Sequence, residues 1–253
     1  LPPHPFLIPP LSHHFSTLHQ AKTMPQANPL TLQTILPIVL IITALKVLLI
    51  PSYYSTDFSV HRNWLAITKH LPINEWYFDD VNGGTVHTLD YPPGFAWFEY
   101  FLSNNFVARG LVEDGWLDER CLELLPDDDN EPSERCVRFQ RWTVVLSDAV
   151  LFFGAYLVSD SFRALKVSKG VDANEAVILV FFLIITNPGL LILDHIHFQY
   201  NGMLIGLLLC SMTCILRGSQ TQQIKGHKWE LFGSAFFAML LSMKHLYMTL
   251  APL

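Results

Sequence analysis

An all-α membrane protein with several spans is the fold class that the sequence predicts. Three observations carry the prediction. Half of the 253 residues are apolar and only 15% are charged. The apolar residues are gathered into runs, near 30–50, 142–158, 173–187, 202–216 and 231–250. Between the first two runs lies one long polar loop, residues 51–141, with a helical pattern of its own. A helix needs about 20 apolar residues to cross a bilayer, and clustered apolar runs mark membrane chains. The net charge of −6 and the lack of a basic groove pattern argue against nucleic-acid binding.

Residues 1–29 are rich in Pro, His and Ser and lack helical periodicity. They are expected to be a disordered cytosolic N-terminus. The chain begins at Leu1, its first methionine is Met24, and it stops at Leu253 inside an apolar run. It is therefore expected to be a fragment, with residues 1–23 untranslated. A native peptide from that stretch, found by mass spectrometry, would end the second idea.

The run at 30–50 is interrupted by Gln33, Pro37 and Lys46. Lys46 is close enough to one end to snorkel toward headgroups. The loop that follows holds 16 acidic and 7 basic residues. Within it Val60, Trp64, Ile67 and Leu71 recur at steps of 4, 3 and 4, one face of a helix that Pro72 ends. His61, Arg62, Asn63, Lys69 and His70 are largely off that stripe. Such a helix either lies flat at the membrane interface or packs on a soluble core. The aromatic patch Phe95, Trp97, Phe98, Tyr100 and Phe101 suits headgroup depth. Residues 113–135, with Asp127, Asp128 and Asp129, are expected to be a solvated acidic loop. Cys121 and Cys136 sit in that polar region; in an oxidising compartment they can pair, and the sequence leaves the matter open. Cys210 and Cys214 lie in an apolar run and are expected to be reduced core residues.

The second run contains Asp148, which must face protein or water. The third is broken by Asn187, Pro188 and Gly189, and residues 190–201 follow it. Irregular backbone at membrane depth is tolerated only where protein or a wet cavity covers it. The fourth run, 202–216, spans roughly 22 Å as a helix, which is short. The fifth ends near Lys244, His245 and Tyr247. Basic residues fall in the connections after the second and fourth runs (Arg163, Lys166, Lys169; Arg217, Lys225, Lys228) and are absent from 187–201. Basic short loops stay cytoplasmic. The 51–141 loop is then on the opposite side, and Asp57, Asp90 and residues 194–200 share one face.

Asp57 opens a helix that Ser55 or Thr56 can cap. A carboxylate in a first turn meets the positive end of the helix dipole, which favours the ionised form a general base needs. It is equally read as a capping carboxylate alone. Asp90 precedes Tyr91, Pro92 and Pro93, whose fixed backbone suits a helix start. His195, His197, Gln199 and Asn201 cluster beside the break, either to meet phosphate or sugar hydroxyls or to form a hydrogen-bond network within the bundle. Asp194 either orients a neighbouring histidine or caps a helix. No cysteine–histidine spacing of a metal site is present.

The stretches STDFSVHRNWLAITKHLP, LDYPPGFAWFEYFLS, LDHIHFQYNG and MKHLYMTLAP resemble the endoplasmic reticulum α-1,3-glucosyltransferases of asparagine-linked glycan assembly. VHRNWLAIT and DYPPGFAWFEY are nearest to the family member that adds the second glucose. The resemblance covers residues 30–253. It implies a GT-C type glycosyltransferase in the endoplasmic reticulum membrane, multi-pass, with the 51–141 loop luminal. The implied donor is dolichyl-phosphate-glucose and the implied acceptor a dolichyl-diphosphate oligosaccharide already bearing one glucose. By the motif match Asp57 is the general base and Asp90 a second active-site acid. Arg62, Trp64, Tyr91, His195, His197 and Gln199 are the substrate-binding candidates. No cofactor and no metal are expected. The family is longer than this chain, so the fragment alone is expected to be inactive. The rival readings are the sibling enzyme that adds the first glucose and a non-enzymatic polytopic transporter or scaffold.

Overall fold

All regular structure among the described residues is helical. The computed structural model describes residues 30–78, 87–104, 106–124, 131–162, 173–220 and 224–251. The expectations for residues 1–29, for Asp127 to Asp129 and for Arg163, Lys166 and Lys169 lie outside these. Helix α1 is Leu32–Leu48, started by Thr31, whose side chain accepts from the Thr34 backbone N–H. The loop after it carries α2 (Thr56–His70), α3 (Pro93–Asn104) and α4 (Phe106–Glu113). Pro93 fits the first position of α3 because a first-turn N–H has no helical partner to lose. α4 stops at Gly115, whose φ of +72° is cheap only for glycine. There Gly115 donates to Val112 and Trp116 to Leu111.

The bundle proper is α5 (Glu134–Phe162), α6 (Ala173–Ile185), α7 (Pro188–Ile192), α8 (Asn201–Gln220) and α9 (Ile224–Met243). Asn187 breaks the third apolar run as its sequence suggests. Its side chain accepts from the N–H groups of Gly189 and Leu190, restarting the helix as α7. α7 then widens into a π-helical turn, Leu193–Phe198. Three helical stretches are long and apolar enough to cross a membrane: Glu134–Phe162, Asn174–Phe198 and Asn201–Gln220. α1 is apolar but shorter. The fourth apolar run is longer as a helix than its sequence limits of 202–216, reaching 20 residues.

α8 is the central pillar, packed on α5 on one side and α9 on the other. Glycines permit the approach to α5. A Cβ on Gly206 would stand 2.5 Å from the Val150 carbonyl oxygen, and one on Gly154 would stand 2.5 Å from that of Gly206. Small residues at such crossings let backbones touch where lipid supplies no hydrophobic drive. On the far side of α5, α1 and α6 close a second core of Leu30, Ile42, Ala155, Val177, Phe181 and Ile185. Leu40 and Ile41 of α1 and Leu183 of α6 are exposed, as lipid-facing side chains would be.

α2 and α3 cover the end of the bundle where α5 and α8 begin and α9 finishes, with the larger core between them. Here α2 packs into a core. α2 is buried almost all round, and His61, Arg62 and Asn63, off the apolar stripe, are as covered as Trp64 and Ile67. Each polar member is hydrogen-bonded, which makes its burial tolerable. Lys46 departs from expectation. It is 3% exposed, and its ammonium lies 2.7 Å from Asp148, enclosed by protein instead of reaching outward. Asp148 faces protein, as expected of a carboxylate inside an apolar run.

Candidate active site

The site is assembled where the start of α2 meets the end of the π turn. The last carbonyls of any helix lack partners along the chain. Here residues 52–55 and α5 take them. Ser55 donates its backbone N–H and its hydroxyl to the His197 carbonyl, at 3.1 and 2.7 Å. Arg141 of α5 donates to the carbonyls of Tyr53 and Ile196, both at 2.9 Å. One guanidinium thus pins the loop before α2 to the π turn. Ser55 also caps α2 by accepting from the Asp57 N–H at 3.3 Å.

Phe198 turns the chain out of the π turn with φ at +81°, the one non-glycine positive φ among the described residues. A bulky side chain held there costs about 1–3 kcal/mol. Its ring is fully buried against Phe58, His61 and Tyr200, which hold it. The extended residue that follows is Gln199, and its amide reaches Asp57, with Nε2 to Oδ2 at 2.7 Å.

Behind Gln199 the polar side chains form a chain. Asn201 Nδ2 donates to Gln199 Oε1 at 2.6 Å and to Asp194 Oδ1 at 3.1 Å. Asp194 also caps α8, accepting from the backbone N–H groups of Asn201 at 3.0 Å and Gly202 at 2.5 Å. Lys244, past the end of α9, donates to Asn201 Oδ1 at 3.4 Å and stands over the Tyr91 ring at 5.2 Å from its centroid.

α2 also supports the second acidic motif. Asn63 donates to the His87 carbonyl and the Trp64 indole to that of Thr88, at 2.5 and 2.9 Å. These bonds fix the strand-like run that delivers Asp90 and Tyr91. Asp90 is exposed. Tyr91 lies against Trp64 with centroids 5.0 Å apart and the rings tilted, and its carbonyl accepts from the Tyr77 hydroxyl. Glu99 of α3 lies 2.8 Å from His61; burial raises its carboxyl pKa, and the hydrogen bond and charge of His61 oppose the rise.

The predicted residues therefore separate. Asp57 and Gln199 are in contact, and Tyr91 is linked to them through Lys244 and Asn201. Arg62 faces the other side of α2, donating to the Glu123 carbonyl at 3.2 Å and lining a small polar pocket with Asp118, Arg120 and Glu131 beside the Cys121–Cys136 disulfide. Trp64 is buried beneath Tyr91. His197 is exposed, edge-on to Tyr53. His195 is buried with Nε2 2.9 Å from Asp148, in the same cluster as Lys46. Sequence reasoning missed Arg141 and Lys244 as parts of this site, since their partners are distant in the chain. The Lys46–Asp148 pair did leave a signal: two opposite charges, each stranded in an apolar run.

Residues 42–253 match the profile of the ALG6, ALG8 glycosyltransferase family. The chain belongs to that family. Similar proteins bear the name dolichyl pyrophosphate Glc1Man9GlcNAc2 alpha-1,3-glucosyltransferase. The mouse protein is 42% identical over 211 residues, covering 83% of this chain and 36% of its own length. The Arabidopsis thaliana protein is 44% identical over 210 residues, covering 83% and 35%. The Neurospora crassa protein is 43% identical over 213 residues, covering 84% and 36%. The chain thus spans about a third of the length of these ALG6, ALG8 family relatives. The all-helical fold with apolar spans is the GT-C architecture of the family.

Proposed function

We propose that this chain is part of an inverting α-1,3-glucosyltransferase of the endoplasmic reticulum membrane. The enzyme moves glucose from dolichyl-phosphate-glucose to a dolichyl-diphosphate oligosaccharide that already carries one glucose. The relatives' names supply the acceptor. The single observation that supports the chemistry is the Asp57 carboxylate. It sits at the N-terminus of α2 with one oxygen held by Gln199, while Oδ1 has no protein partner among the described residues.

In one displacement the acceptor hydroxyl oxygen attacks the anomeric carbon. The bond from that carbon to the phosphate oxygen breaks, and Asp57 takes the hydroxyl proton. Dolichyl phosphate leaves as a weak base, so no general acid is needed. Asp90 and Tyr91, on the exposed edge of the same covering layer, serve the acceptor sugar, and His197 the phosphate. Arg62, Trp64 and His195 act from behind, through the backbone and charges they hold. The Cys121–Cys136 disulfide fits an oxidising luminal side.

Asp57→Asn in the full-length enzyme, assayed with the monoglucosylated acceptor, should lower turnover by about 10²–10⁴-fold, the usual contribution of a positioned base. Wild-type turnover would remove Asp57 from the role.

A further inference from the structure

The hydrogen bonds behind Asp57 have a fixed direction. Asp194 caps α8 with both oxygens and also accepts from the Asn201 side chain. Lys244 can only donate, so Asn201 must turn its oxygen to Lys244 and its NH2 to Asp194 and Gln199. Gln199 then has its oxygen engaged by Asn201 and must present NH2 to Asp57. A flip of this amide would set its oxygen against the Asp57 carboxylate and its NH2 against that of Asn201, losing both bonds at once. The backbone adds a second constraint, because Gln199 follows the strained Phe198 and its extended conformation aims the side chain at α2.

We infer that Gln199 is a positioning residue: it holds Oδ2 of Asp57 and turns Oδ1 to meet the acceptor hydroxyl, with Asn201 and Asp194 fixing the sense of its amide. The inference rests on Asp57 being the base. It places Gln199 behind the carboxylate rather than on the sugar. Removal should slow the chemical step and leave acceptor binding alone.

The test uses the full-length enzyme with Asp57→Asn, Gln199→Ala, Gln199→Glu and Asn201→Asp, assayed with the lipid-linked acceptor varied. Gln199→Glu keeps the shape and the bond from Asn201 but sets a second carboxyl against Asp57 in place of the NH2, which separates positioning from packing. Both Gln199 variants should lose about tenfold or more in kcat, part of what the base supplies. Acceptor KM should stay within about twofold. Gln199→Glu, which packs like the native residue, should be slowed at least as much as Gln199→Ala, and Asn201→Asp by less. Full turnover in the Gln199 variants, a Gln199→Glu variant that outpaces Gln199→Ala, or a raised acceptor KM would each overturn the positioning role while Asp57→Asn stays inactive. If Asp57→Asn is active, the base assignment itself fails and takes this inference with it.

Discussion

Three buried side chains show how single residues are weighed in this bundle. Lys46 and His195 both approach the same oxygen of Asp148, at 2.7 and 2.9 Å. They join α1, α5 and the π turn inside an apolar surround. Desolvating such charges is expensive, and removing one partner leaves the other uncompensated. Lys46→Met should therefore destabilise the solubilised enzyme by about 3–5 kcal/mol, read from denaturant unfolding. Lys46→Met with Asp148→Leu should cost less than Lys46→Met alone, because the stranded charge is gone. A double variant weaker than the single would show that the pair is net stabilising rather than merely balanced.

Among the elements, α5 and α8 are held by a glycine contact, and the π turn is built on top of it. Gly206→Ala sets a methyl against the backbone of Val150 and Leu151, with nothing flexible to give. It should cost about 1–3 kcal/mol and lower turnover, since α8 carries Asn201 and follows Gln199. Gly110→Ala is the control within α4. Its Cβ would meet nothing within 4 Å, and the change should stabilise by about 0.4–1 kcal/mol. Thermal unfolding of the two variants side by side checks both signs. α2 shows what a sequence stripe conceals. Its apolar spacing is real, but the residues beside the stripe are covered by α3, the run at 87–89 and the 3-10 turn, and no local pattern announces those neighbours.

Across the whole molecule, the covering layer is tied to the bundle by Arg141, by the Ser55 bonds and by the Cys121–Cys136 disulfide, which joins the 3-10 turn to α5. A disulfide closing a loop of this size restrains the unfolded chain by about 3 kcal/mol. Cys121→Ser with Cys136→Ser should lower unfolding stability by about that much. Acceptor KM should change little, because the pair lies on the Arg62 side of α2 and away from Asp57. A large rise in KM would place the acceptor against that face instead.

From the sequence alone came the helical membrane class, the break at Asn187, the two acidic motifs and the polar cluster after the break. Apolar run length, proline and capping chemistry act over a few residues, so they can be read locally. Tertiary structure decided which polar groups meet. It paired Lys46 with Asp148, put His195 beside them, and brought Gln199 across 142 positions of chain to Asp57. Those contacts depend on how α1, α5, α8 and the π turn pack, and a buried polar group takes the partner that packing brings within reach.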